Sequence, residues 1–383
     1  MRTAEIAGAG IGGLAIATML ARDGWRVRVR ERSEQVREIG AGIYIKNNSI
    51  EVLEHLGIFE SMRGAGTELL RAQIRFADGS VRQQRQLSGL SRVHVFPRQV
   101  VIEALRDGAL EAGVEIRTSS TVAGASANGT LRTVDGEEAR ADLVIGADGV
   151  MSAVRNSLGI RSSFTLLPTI IDRFLVKSRE FTPEQQTVEH WSGNRRIGVT
   201  PSGPEHTYVY MVAPERDAVA KRLPLDVEDW SARFPTIRGL LELLGRSEST
   251  QFNYGVVKCE KWAVGKVAIL GDAAHGLPPT LGQGAGLTLI NAYALAHCLR
   301  QRGNVEDALR DWEQSVRFIS DRTQAWAMRY DWFTRQWPTR LDIMRPLVTW
   351  AFGRIKYLNN SMRIADQGLR PAGIQIQGTV HAH

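Results

Sequence analysis

Gly8-Ala9-Gly10-Ile11-Gly12-Gly13 decides the fold of this 383-residue chain. The hexapeptide follows the apolar-leaning run Ala4–Ala7 and opens a helical pattern with Leu14, Ala17, Leu20 and Ala21 on one face. Arg26-Val27-Arg28-Val29-Arg30-Glu31 then alternates as a second strand. Strand, glycine turn, helix and strand is the order of a dinucleotide fingerprint. Gly8 permits the tight turn, Gly10 lets backbone approach a pyrophosphate, and Gly13 allows the helix to pack close to the strand. Glu31 ends the second strand, where a carboxylate can accept hydrogen bonds from ribose hydroxyls, and Arg32 follows it. Arg28 and Arg30, on the opposite face, read as solvated or near an adenine end.

A second glycine cluster lies far downstream. Lys266–Leu270 reads as a buried strand, Gly271-Asp272-Ala273-Ala274-His275 follows, and Pro278-Pro279-Thr280-Leu281-Gly282-Gln283-Gly284-Ala285-Gly286 leads into a helix from Leu287 to Leu299. Backbone N–H groups at a helix start attract negative charge. A third element, Ala141–Asp148-Gly149 with Ser152 and Arg155, is a buried strand ending in a polar turn, at the sheet edge where ligands collect. Two anion-seeking loops in one chain point to one large ligand, FAD.

The fold class expected is α/β: a Rossmann-like FAD-binding domain with an inserted, mostly antiparallel sheet domain and a helical C-terminal region. The boundaries read as 1–161 for the first part of the FAD domain, with local sheet insertions. Residues 162–258 form the substrate-covering sheet, 259–300 the second part of the FAD domain, and 301–383 the helices and a loose tail from Arg370. Short helices are expected from about Asn48 to Leu56 and over Gln99–Ala112.

An apolar fraction of 43% and a charged fraction of 23% are those of an ordinary globular protein. The net charge of +7 comes from scattered arginines, which fits anionic cofactors and an anionic substrate rather than nucleic acid. Two cysteines without a C-x-x-C pair fit a reducing cytoplasm and argue against a thiol redox centre. The run Ile6–Leu20 imitates a signal peptide, but its regular glycines and the Asp23 after it argue otherwise. No uninterrupted apolar stretch of about 18 residues supports a membrane span. His190 and His206 read as surface histidines and His275 as a structural hydrogen-bonding residue. His381 and His383 lack further metal ligands. Trp326, Trp332, Trp337 and Trp350 read as packing for the C-terminal helices or a dimer contact.

From Ile6 to about Tyr330 these ordered motifs resemble the single-component FAD-dependent aromatic hydroxylases of the para-hydroxybenzoate hydroxylase type. The resemblance implies that Glu31 and Arg98 hold the adenosine and ribose portion. Asp148-Gly149 serves FAD and the NAD(P)H encounter, Asp272 binds the ribityl chain, and the Gly282–Gly286 loop, after Pro279, faces the flavin N1/O2 edge. It implies an NAD(P)H- and O2-consuming monooxygenase acting through a flavin C4a-hydroperoxide, as a monomer or homodimer. Gly286 and Asn291 stand where the family usually carries other residues. Gly40-Ala41-Gly42-Ile43-Tyr44 and Gln283-Gly284-Ala285-Gly286 look like the branch acting on hydroxypyridine carboxylates, with or without ring opening. There the matching substrate positions are Arg196 and Tyr208, which are also the expected catalytic residues, then Arg173 and Tyr44. A benzenoid hydroxylase of the salicylate or hydroxybenzoate type, and a flavin redox sensor without turnover, are the alternatives. Arg196 suits a carboxylate through its planar two-point donor geometry, and Tyr208 and Tyr210 share one strand face by period-two spacing.

Overall fold

The computed structural model describes residues 1–37, 40–87, 91–182, 184–335, 344, 347–348 and 355–377. Its first sheet grows from the fingerprint. Thr3–Ala7 lies between Arg26–Arg30 on one side and Leu143–Gly146 on the other, all parallel. Val267–Ile269 joins Leu143–Gly146 and Glu115–Arg117 joins Arg26–Arg30, again in parallel. An antiparallel edge strand, Ala263–Val264, completes the six. One face of the central strands is apolar, with Ala4, Ile6, Val27 and Val29 packed in one core with the helix Ile11–Arg22, while the other carries Glu5 ion-paired to Arg28 and Arg30. Leu14, Ile16, Ala17 and Leu20 of the helix Ile11–Arg22 are fully buried.

Four sequence elements therefore leave this sheet at one edge. The glycine loop follows Thr3–Ala7, Glu31 follows Arg26–Arg30, Asp148 follows Leu143–Gly146, and Gly271-Asp272 follows Val267–Ile269 by way of Leu270. Their strands are four consecutive neighbours. A single elongated ligand can cross all four.

The second sheet has seven strands in the order Thr250–Cys259, Ser162–Val176, His206–Pro214, Arg195–Ser202, Gln186–Ser192, Arg71–Phe76 and Val81–Gln86. Antiparallel pairing dominates; only Gln186–Ser192 with Arg71–Phe76 runs parallel. The last two strands come from the chain before residue 162. They cover the backbone edge that Gln186–Ser192 would otherwise leave open. Placing Gln186–Ser192 inside the sheet also buries His190, contrary to the surface position expected, and burial holds its pKa down at about 4.

Strict alternation gives this sheet two unlike faces. Ile170, Phe174, Val209 and Met211 point outward and pack against Trp230, Phe234 and Leu240 of the helices Val227–Arg233 and Arg238–Leu244. Arg195 lies on that face, bonded to Asp217 and Asp229 with its guanidinium 4.6 Å from the Trp230 ring. Ile171, Arg173, Arg196, Tyr208, Tyr210 and Val212 point the other way, into a cavity.

Two further expectations are corrected. Arg30 is buried, because its guanidinium bridges Glu5 across the parallel sheet and Glu137 in the connection. Residues 370–377 are not loose: Ile374 belongs to the main core, the Tyr293 hydroxyl donates to the Gln375 carbonyl at 3.3 Å, and the Gln377 N–H donates to the same hydroxyl at 3.1 Å. Trp326 is buried, Trp332 is exposed, and Trp337, Trp350, His381 and His383 lie outside the described residues. No helix among the described residues is long and apolar enough to cross a membrane.

Gly198 shows how tightly the inner face is filled. A Cβ there would fall 2.1 Å from the Tyr210 Cζ atom. Gly198→Ala must push the ring aside, so we expect a loss of about 1–3 kcal/mol of stability, seen as a lower urea midpoint. An unchanged midpoint would mean that Tyr210 swings away freely.

Candidate active site

The glycine loop is shaped by what cannot fit beside it. Gly8 adopts φ +98°, and a Cβ on it would meet the Ala147 carbonyl oxygen at 2.4 Å. A Cβ on Gly13 would sit 2.0 Å from the Gly8 carbonyl oxygen, so helix and loop touch through backbone alone. Gly10 caps the helix Ile11–Arg22 without a side chain, and no acid stands in its first turn. The uncapped amides are thus left for an anion. Glu31 accepts from the Ala9 N–H at 2.9 Å and the Ser33 N–H at 3.0 Å, which holds its carboxylate against the loop; Arg32 is exposed beside it.

The second and third elements are tied to each other. Ser152 caps the short helix that follows Asp148-Gly149, accepting from the Arg155 N–H at 2.9 Å. Buried Arg155 donates to the carbonyl of Val150 at 2.8 Å and to that of Ala273 at 3.0 Å, locking the Asp148 turn to the Asp272 loop. Asp148 accepts from the Val154 N–H at 3.2 Å through one carboxylate oxygen, while the other is buried with no protein partner. His275 has the structural role expected. Burial lowers its pKa to about 4, and Asn291 Nδ2 donates to its Nε2 at 2.8 Å.

A cavity of about 570 Å³ lies between the glycine-rich loop Pro279–Ala285 and the inner face of the seven-stranded sheet. Pro279, Gly282, Gly284 and Ala285 line it, together with Arg98 at the start of its helix. Gly286 does not line it. A Cβ at Gly286 would strike the Asn48 and Gln283 side chains, so this glycine serves packing.

Tyr44, Arg173, Arg196 and Tyr208 all reach the cavity. Tyr44 and Tyr208 meet edge to face at 6.1 Å between ring centres. The Tyr44 hydroxyl forms a triangle with Thr200 Oγ1 at 2.6 Å and Thr187 Oγ1 at 3.2 Å, the two threonines being 2.6 Å apart. Burial pushes the Tyr44, Tyr208, Tyr210 and Tyr254 phenols above their ordinary pKa, so all four are neutral at pH 7.

The two arginines differ. Arg196 Nη1 donates to Glu189 Oε1 at 3.2 Å, so the carboxylate it meets is the protein's own. Arg173 stacks over Phe252 at 4.6 Å and leaves its buried Nε without a protein partner. Glu189, Thr187 and Thr200 carried no signal before strand register was known. Trp326, Tyr330 and Phe333 did. Spaced at i, i+4 and i+7, they put one aromatic face of the helix Val305–Arg335 on the cavity.

The site fits FAD. Uncapped amides and backbone-only contacts suit a pyrophosphate, Glu31 a ribose, and the unpartnered Asp148 oxygen a hydroxyl donor, while Gly282 and Gly284 bring backbone without side chains to the cavity. When bound, FAD supplies hydride acceptance from NAD(P)H and activation of O2. The chain's part is to orient the ring substrate and exclude water.

Gly13→Ala places a methyl group where the Gly8 carbonyl stands, and the loop must open. We expect purified Gly13→Ala to lose most of its FAD absorbance after gel filtration while keeping its far-ultraviolet spectrum. Full FAD retention would show that the close approach is dispensable.

The family model described as an FAD binding domain matches residues 1–311. The chain is 35% identical over 333 residues to 2-heptyl-3-hydroxy-4(1H)-quinolone synthase of Mycobacteroides abscessus, covering 85% of this chain and 89% of that one. It is 28% identical to 6-hydroxynicotinate 3-monooxygenase of Pseudomonas fluorescens, covering 78% and 82%. The tetrameric form of 2-methyl-3-hydroxypyridine-5-carboxylic acid oxygenase superposes with a TM-score of 0.84 at 29% identity, covering 96% of each chain. With four strand-end elements at one sheet edge, the cavity under the Pro279–Ala285 loop and these relatives, the chain belongs to the FAD-binding-domain family and is an FAD-dependent monooxygenase of the aromatic-hydroxylase type.

Proposed function

We propose that the enzyme hydroxylates an electron-rich nitrogen heteroaromatic ring of the 2-alkyl-4-quinolone class, consuming NAD(P)H and O2. The observation that carries this reading is the unlike lining of one cavity. The Arg173 and Arg85 guanidinium groups stand on the sheet side, and Trp326, Tyr330, Phe333 and Met362, with Arg329 and Arg363 beside them, stand on the side of the C-terminal region. A flat bicyclic ring with an apolar substituent matches both walls. Its ring oxygen accepts from Arg173, and its alkyl chain lies on the aromatic face. The quinolone-directed relative is consistent with that assignment.

Arg173 favours a second reading, a hydroxypyridine carboxylate, because a guanidinium whose buried Nε has no hydrogen-bond partner in the protein suits a carboxylate at least as well as a ring oxygen. The pyridine-directed relatives support it. The two readings part at the aromatic wall, which a small polar acid leaves uncovered. In either case the neutral Tyr44 and Tyr208 phenols donate or accept single hydrogen bonds at the ring, and Arg196, already neutralised by Glu189, shapes the wall.

Two measurements test this. Steady-state NAD(P)H oxidation with matched panels of 2-alkyl-4-quinolones and hydroxypyridine carboxylates should show kcat/KM rising with alkyl length. A preference for the pyridine acids would instead establish the second reading. Arg173→Met should lower kcat/KM by roughly 10- to 100-fold, the loss of a charge-assisted hydrogen bond of about 1.5–3 kcal/mol, with FAD content unchanged. If Arg196→Met reproduces that loss at full FAD content and Arg173→Met does not, Arg196 holds the substrate despite Glu189.

A further inference from the structure

Lys46 and Asp366 form a charge couple against the glycine loop that substrate binding does not use. Lys46 ends the strand Gly42–Lys46, lines the cavity, and donates from Nζ to the Leu281 carbonyl at 2.8 Å. Its Cε atom lies 3.6 Å from the point a Cβ on Gly282 would occupy. The ammonium stands 3.5 Å from Asp366 Oδ1, and the two side chains are only 23% and 16% exposed. Asp366 belongs to the turn Ile364–Gln367 of the C-terminal region. Its carboxylate also accepts from Arg363 Nε at 2.9 Å and from Gln283 Nε2. Gln283 in turn accepts from Asn48 Nδ2 at 3.0 Å and stands immediately before the helix Gly284–Gln301.

The glycine-rich loop lining the cavity is thus held between a partly buried cation from the FAD domain and a partly buried anion from the C-terminal segment. Hydride transfer from NAD(P)H moves two electrons and one proton onto FAD and leaves NAD(P)+, so the bound cofactor gains one negative charge. Charges held in a partly desolvated site act on that gain with little screening. Burial also makes the Lys46 charge costly to keep: desolvation lowers its pKa, and the Asp366 carboxylate opposes that loss. A lysine kept there at such a cost needs a task. Tethering the Leu281 carbonyl needs only a donor; a full charge acts on the cofactor as well.

We infer that Lys46 and Asp366 set the reduction potential of the bound FAD in opposite directions, with Lys46 raising it and Asp366 lowering it. Both act as positioning residues for the loop, and their charges supply the effect that loop position alone does not. The inference rests on FAD binding and not on the ring substrate proposed above, so it survives a failed substrate panel.

The test is an anaerobic reductive titration of the holoenzyme beside an indicator dye of similar potential, without substrate, on Lys46→Met, Lys46→Arg and Asp366→Asn. At a fixed dye poise the reduced-to-oxidised FAD ratio should fall about tenfold in Lys46→Met and rise about tenfold in Asp366→Asn. Each corresponds to about 30 mV for a two-electron couple. Lys46→Arg should stay within about twofold of the original. Opposite signs separate charge from structure, because a loosened loop would move both neutralising variants the same way. Shifts of one sign, or a change under twofold in both neutralising variants at full FAD content, overturn the inference. Should Lys46→Met fail to hold FAD, Lys46→Gln replaces it. Should that fail too, the sign of Asp366→Asn decides, a lowered or unmoved potential counting against the inference.

Discussion

A helix can begin directly against the end of a strand only if nothing stands between their backbones. Gly13 meets that condition, with no room for a Cβ beside the Gly8 carbonyl. Much of the molecule follows from this contact. It turns the first helix so that its uncapped amides face the sheet edge, and three neighbouring strands bring Glu31, Asp148 and Asp272 to the same edge. Arg155 then joins the last two loops through backbone carbonyls, and the cofactor edge is assembled from segments up to 264 residues apart (Gly8 to Asp272).

The cavity depends on a different regularity. Period-two alternation in the seven-stranded sheet sends one set of side chains to the helices Val227–Arg233 and Arg238–Leu244, and the other set to the cavity. Adjacent arginines divide accordingly. Arg195 is matched on the outer face by Asp217 and Asp229, and Arg196 on the inner face by Glu189. The Asp229 pair ties the helix Val227–Arg233 to the sheet, and the Asp217 pair ties down the turn before it. The inner pair neutralises Arg196, while the buried Nε of Arg173 has no hydrogen-bond partner in the protein.

The fold class was legible because its signals are local: a glycine spacing, an apolar strand, a helix start. The same holds for Glu31 and Asp148, which follow parallel strands at one edge of the sheet as expected. What sequence reading missed depended on pairings between distant segments. Nothing near residue 189 announces that Glu189 neutralises Arg196, since that follows from strand register. Residues 71–86 gave no sign of joining a sheet formed mainly after residue 162. Arg30 looked solvated because Glu5 and Glu137, its partners, lie 25 and 107 positions away. The aromatic face of Val305–Arg335 was visible as a spacing, but its target was not.

The central claim is that the enzyme, with FAD held at this edge, would transfer one oxygen atom of O2 to a ring bound in the adjacent cavity, the other leaving as water at the expense of NAD(P)H. Turnover under 18O2, with NAD(P)H and the best ring substrate, tests it most directly by mass spectrometry of the product. The account predicts one 18O atom per product molecule and none when the label is supplied as H2 18O. Unlabelled product under 18O2, or NAD(P)H consumption that yields only hydrogen peroxide, would contradict it.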